Sequence, residues 1–156
     1  MSKRVAVALL FGLMPGIADC ASLAYMDADN PGEAVGLLKA REVSAQVMLR
    51  ECSARFPADT EEYKSNLFAW QKQEEYVLKK VDALWSAAAS QNPSLAEVEA
   101  RMEAVIAQTF ESISKVQPNA IDKLMAQYCR RHFSELAAGV WRERTPKAQH
   151  FLESMP

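Results

Sequence analysis

Two side chains interrupt an otherwise apolar pattern where chemistry could follow: Glu74, between Leu67 and Trp85 on one helical face, and His132, between Met125 and Leu136 on another. Wound at about 100° per residue, each falls inside an apolar stripe rather than beside it. A carboxylate enclosed without a partner would cost several kcal/mol or take up a proton, so the core must supply a partner. Arg41 and Glu42 flank an earlier stripe at similar depth, and Met102 faces inward from a third helix. Arg41, Glu74, Met102 and His132 thus define a polar layer with two possible uses. As structure, Glu74 accepts a hydrogen bond from His132 or Arg41 and fixes helix register. As a site, the four residues hold a small molecule or cofactor. No resident metal or cofactor is expected: the sequence lacks the Glu-x-x-His pair of di-iron bundles and the Cys-x-x-Cys-His of haem attachment, and one core histidine is too few for zinc. His150 is expected at the surface.

A second constellation lies on the fourth helix. Arg130, Phe133, Ala137, Trp141 and Arg144 fall within a sector of about 80° that faces away from the stripe. Arginine and aromatic side chains together have the composition of a protein-binding hot spot. The alternative is intramolecular, with Phe151, Leu152 and Met155 folding back to cover Phe133 and Trp141. No Gly-rich phosphate loop, nucleophile elbow or Ser-His-Asp pattern is visible in the sequence. The function expected is therefore non-catalytic binding of another protein, as an inhibitor, immunity or chaperone-like factor would do, with the polar layer as the basis of the small-molecule alternative.

The elements that must position these residues are all helical. Residues 25–156 contain only Gly32, Gly36 and Gly139 and show neither strand alternation nor a hairpin dipeptide. Asn30-Pro31-Gly32-Glu33 places a capping Asn before an N1 proline; Asp59-Thr60-Glu61-Glu62 and Ser94-Leu95-Ala96-Glu97 read as capping boxes; Asn119 follows Pro118 as a fourth cap. With breaks at Phe56-Pro57, Gln91-Asn92-Pro93 and Gln117-Pro118, four helices are predicted over 30–55, 60–90, 94–116 and 119–144, with a tail helix after Thr145-Pro146. Their stripes are Leu38, Ala45, Met48, Leu49, Cys52 and Phe56; then Tyr63, Leu67, Trp70, Val77, Val81, Leu84, Trp85 and Ala88. The third has Leu95, Val98, Met102, Val105, Ile106, Ile113 and Val116, and the fourth Ile121, Leu124, Met125, Tyr128, Cys129 and Leu136. Short connections make consecutive helices antiparallel, so the predicted fold is an all-α, up-down-up-down four-helix bundle. In it Cys52 lies about 6 Å and Cys129 about 15 Å from one shared pole at 1.5 Å per residue, compatible with a disulfide staple.

Residues 1–24 read as a secretory signal. Lys3 and Arg4 precede an apolar run from Val5 to Met14, then Pro15, Gly16 and small residues; a run of about 10 is too short to span a bilayer. Cleavage after Ala18, Ala21 or Ala24 fits the small-residue rule, and only the last two leave an even pair of cysteines. Ile17-Ala18-Asp19-Cys20 also resembles a bacterial lipobox, departing from it at Asp19. The expected product is one domain, residues 25–156, in a periplasmic or secreted location and with no membrane insertion after cleavage.

The whole chain has 156 residues, 49% hydrophobic and 24% charged, with 18 basic against 20 acidic side chains. This composition excludes a disordered tail and a polybasic module. Removing residues 1–24 takes away Lys3, Arg4 and Asp19 and leaves 16 basic against 19 acidic side chains, no footprint for nucleic acid. In outline, and in a pattern over Val98 to Gln117, the chain resembles the secreted chorismate mutases, small exported helical bundles that can carry a disulfide. That resemblance implies an interior array of cationic side chains with a Glu or Gln that holds a dicarboxylate, which Arg41, Lys79 and Arg131 would approach; no family motif matches residue by residue, so no role is carried over.

Overall fold

The computed structural model describes residues 27–116 and 121–155. The signal-like segment and Asn119 lie outside them. Among the described residues every regular element is helical: α1 (Pro31–Arg55), a 3-10 turn (Pro57–Asp59), α2 (Thr60–Gln73), α3 (Glu75–Gln91), α4 (Ser94–Val116), α5 (Ile121–Ala137), α6 (Val140–Arg144) and α7 (Pro146–Ser154).

Local chemistry sets several boundaries. Asn30 accepts from Glu33 N at 2.9 Å while the Glu33 carboxylate accepts from Asp29 N, so the first turn of α1 is capped from both sides. Two expected boxes are corrected. Asp59 precedes α2 without capping it, because its carboxylate is taken by Arg130 (2.9 Å) and Tyr63 (3.2 Å). At α4 the capping oxygen is that of Asn92, which accepts from Ser94 N and Ser94 Oγ.

Two predicted helices are broken. The one expected over 60–90 is interrupted at Glu74, whose backbone (φ −99°, ψ 9°) leaves helical geometry although the Glu74 N to Trp70 O and Leu78 N to Glu74 O bonds survive. The one expected over 119–144 stops at Ala137. Gly139, at φ 72°, supplies the left-handed turn after it, a conformation that side chains disfavour, and α6 starts at Val140.

α1 is the spine. It packs most extensively along α4 and α7, and α2 packs along α5. Lys39 of α1 meets both Asp82 of α3 (3.1 Å) and Glu99 of α4 (3.6 Å). Farther along, Glu51, Ala54 and Arg55 line a groove with Phe110 and Glu111, so α1 and α4 run in the same direction. Asp59 with Arg130, Tyr63 with Phe133 and Gln73 with Ala137 show that α2 and α5 also run together. Cys52 and Cys129 join α1 to α5 with sulfurs 2.13 Å apart and Cα atoms 5.9 Å apart. The tail helix belongs to the core: Leu152 is fully buried, and the Asp27 carboxylate accepts from Lys147 N and Ala148 N at its start. Lys80 closes its far end by donating to the carbonyls of Leu152 and Met155.

Candidate functional site

Glu74 is only 3% exposed. Its partner is neither His132 nor Arg41. Arg142 of α6 reaches it with Nε at 3.1 Å and Nη2 at 2.9 Å, a two-pronged charge-assisted contact. Arg142 also meets Glu153 of α7 at 3.3 Å, and its side chain is 46% exposed. Glu74, burial notwithstanding, keeps the Arg142 guanidinium above its ordinary range. Beside it, Gln73 donates to the Ala137 carbonyl at 2.8 Å. The interruption between α2 and α3 is thus where the α5–α6 corner docks.

His132 belongs to a different cluster. Its ring meets Phe133 and Trp141 edge to face at 5.1 and 6.1 Å and lies 6.4 Å from Tyr128. Nε2 is enclosed without a hydrogen-bond partner among the described residues. Burial pulls its pKa from 6.5 to about 4, so the ring is neutral at pH 7. Arg41, buried on α1, holds its guanidinium 4.8 Å from the centre of the Trp141 ring. Of the expected layer, Arg41 and His132 are therefore linked through Trp141, Glu74 is engaged by Arg142, and Met102 is half-buried on α4. Lys79 and Arg131, which a cationic array would need, are exposed and paired with Glu75 and Glu135 of their own helices.

The helix-four strip is corrected. Phe133 is 0% exposed and stacks on Tyr63 at 5.0 Å. Met125, Cys129 and Phe133 are spaced by four, and each such step turns the stripe by about 40°, which carries Phe133 into the core. Trp141 is half-buried and Ala137 gives its carbonyl to Gln73. Arg130 is tied to Asp59, and Arg144 is exposed. Because α5 ends before α6 begins, Phe133 and Trp141 share no helical face. Tyr63, buried beside the negative Asp59, has its phenol pushed up to about 12.

Sequence reasoning passed over two polar devices. Lys39, half-buried, is held by Glu42, Asp82 and Glu99; burial works against its charge, but the bonds to Glu42 and Asp82 outweigh it and raise its pKa. Asp27 caps α7 from more than a hundred residues away; burial opposes its charge, yet backbone donors from Ala148, Lys147 and Ala28 together lower its pKa. Neither had a local signal. Gly139 did, since a glycine after two alanines is a familiar helix stop.

The third stripe is also corrected. Val105 is 61% and Val98 38% exposed, Met102 and Ile106 are half-buried, and among the described side chains of α4 Phe110 is the buried one. On other stripes Leu84, Leu124 and Tyr128 remain exposed. Among the described residues no group of three or more His, Cys, Asp or Glu side chains could hold a metal ion, and no helix is long and apolar enough to cross a membrane. Compared with protein-family models, curated proteins and solved structures, the chain matches none.

Proposed function

We propose that this is an exported, non-catalytic helical protein that binds another protein through the uncovered side of α4. The observation that carries the reading is the apolar series Val98, Met102 and Val105, at i, i+4 and i+7 on one side of a helix whose opposite flank packs on α1. A helical stripe normally buries itself, and apolar side chains left in water at this spacing suit a partner helix. α3, which packs on α4, adds the exposed Leu84. Glu97, Glu99 and Glu103 on α4, with Arg101 the basic residue among them, make the surround acidic. The occupant that fits is an amphipathic helix of a partner protein with Lys or Arg bordering its apolar face.

The architecture we read as an up-down-up-down bundle whose second arm is the interrupted pair α2–α3, with α7 laid along α1; the shared directions of α1 with α4 and of α2 with α5 support it. Export is supported by the Lys3-Arg4 and Val5–Met14 pattern, and a disulfide suits an oxidising compartment. The mass of the exported protein tests it directly: loss of residues 1–24 or a near neighbour is expected, and retention of Lys3 would overturn export by cleavage.

A photo-crosslinker at position 105 tests the docking face. The expected product joins α4 to a basic helical segment of one other protein and is lost in Val98→Ser, which leaves helicity unchanged. Adducts with a second copy of the chain, or equal adduct yield in Val98→Ser, would refute it.

A further inference from the structure

The His132 side chain is half-buried: its ring is packed against Phe133 and Trp141, and Nε2 is the edge that is enclosed and without a hydrogen-bond partner among the described residues. A neutral ring tolerates such a place. A charged one needs an acceptor or water at Nε2, which the faces and edges of Phe133 and Trp141 do not supply. One wall of the enclosure is Trp141, carried on α6, five residues between the left-handed Gly139 and Thr145. α6 is held from outside by Arg41 against the indole and by the contacts of Arg142 to Glu74 and Glu153. Three residues before His132, Cys129 anchors α5 to α1. A disturbance at His132 therefore reaches α6 directly through Trp141, while the disulfide restrains α5 on the side of Cys129.

From this geometry we propose that the His132–Trp141 contact is an acid-sensitive latch: protonation of His132 drives the imidazole from between Phe133 and Trp141 and frees α6, opening the α5–α6 corner while the disulfide-anchored half stays folded. This reading is independent of the α4 docking face.

The charged and titratable groups around the latch come from every packed element. α1 contributes Arg41, a positive charge one ring away that opposes a second cation. From α2 and the preceding turn come Tyr63, against Phe133, and Asp59, paired with Arg130. The α2–α3 interruption contributes Glu74, already engaged by Arg142. α4 arrives through the uncharged Phe110, against Tyr128. On α5 itself Arg131 pairs with Glu135 at 3.5 Å, and α6 and α7 add Arg142, Glu143, Arg144 and Glu153. Asp59, Glu74, Glu135 and Glu153 each already meet an arginine, and Glu143 is exposed to water. Burial keeps the ring neutral to about pH 4, consistent with a latch that holds at neutral pH and yields in acid.

The chain contains His132 and His150 as its two histidines and three tryptophans, so both ends of the latch can be watched in the oxidised full chain. Imidazole carbon resonances follow His132, and fluorine resonances of 5-fluorotryptophan follow Trp141. On acidification the Trp141 resonance should move to a solvent-exposed position with the midpoint of the His132 titration, while that of Trp70, fully buried on α2, stays in place. His132→Phe should lower the Trp141 midpoint by about one pH unit or more, and His132→Gln, which also cannot take the charge, is the second variant should the first fail to fold. The latch is refuted by a Trp141 resonance that stays enclosed after His132 is protonated or by simultaneous movement of Trp70, which would mean global unfolding. An unchanged midpoint in both variants would also refute it, because the acid response would then not originate at His132.

Discussion

Replacing Arg142 by methionine removes the guanidinium but keeps most of the side chain's apolar volume, and it leaves the Glu74 carboxylate enclosed without its two donors. Breaking a fully buried ion pair from one side costs about 3 to 5 kcal/mol. Here one partner is 3% and the other 46% exposed, so water already screens half of the pair and the expected loss falls to roughly 2 to 3 kcal/mol. Glu74→Gln is the unequal counterpart. It keeps an acceptor for Arg142, which retains Glu153 and solvent, so the cost is about 1 kcal/mol. Urea denaturation of the oxidised protein at pH 7 would show the asymmetry, and in melting temperature it corresponds to roughly 10 °C against about 4 °C for a domain of this size. The double variant is decisive, because a neutral amide at position 74 strands no charge: adding Glu74→Gln to Arg142→Met should return about 1 kcal/mol instead of subtracting more. Equal losses in the two single variants, or simple additivity in the double, would refute the enclosure of Glu74.

Further outcomes follow from the same packing. Cys52→Ser opens a link across 77 positions, and the chain-entropy relation puts its loss at about 4 kcal/mol, read as a lower urea midpoint than that of the oxidised parent. Phe133→Ala should cost about 3 to 5 kcal/mol in the same assay and Phe68→Ala, on an exposed face, within about 0.5; the reverse order would return Phe133 to the surface. His132 makes stability fall with acid. Its folded value of about 4 lies below the unfolded 6.5, so the unfolded chain takes the proton first. The contribution is complete above pH 6.5 and drains away toward pH 4, by about 3 kcal/mol at 1.36 per pH unit, a slope that His132→Phe should remove. Asp27→Ala uncaps α7 and should cost about 1 kcal/mol, with hydrogen exchange accelerated first at Lys147 and Ala148.

The amino-acid sequence alone determined that this chain is helical, where α1 starts, the breaks at Phe56-Pro57 and Asn92-Pro93, and which two cysteines can meet. Those follow from glycine scarcity, the Asn30 cap, the prolines and the three-to-four spacing of apolar residues, all properties of neighbours in the chain. It also located Glu74 and His132 inside stripes, since an angular position on a helix is local too. Tertiary structure decided the rest. Gln73, Glu74 and Glu75 are sound helix formers, and the interruption among them appears only once Arg142 and the Ala137 carbonyl arrive from residues far along the chain. Phe133 faces inward because Tyr63 is there to stack on it, and Val105 faces water because no element among the described residues covers that side of α4. A periodic pattern says which face of a helix is apolar; which neighbour reaches that face, and which charge answers a buried acid, depends on contacts between distant residues that no local spacing encodes.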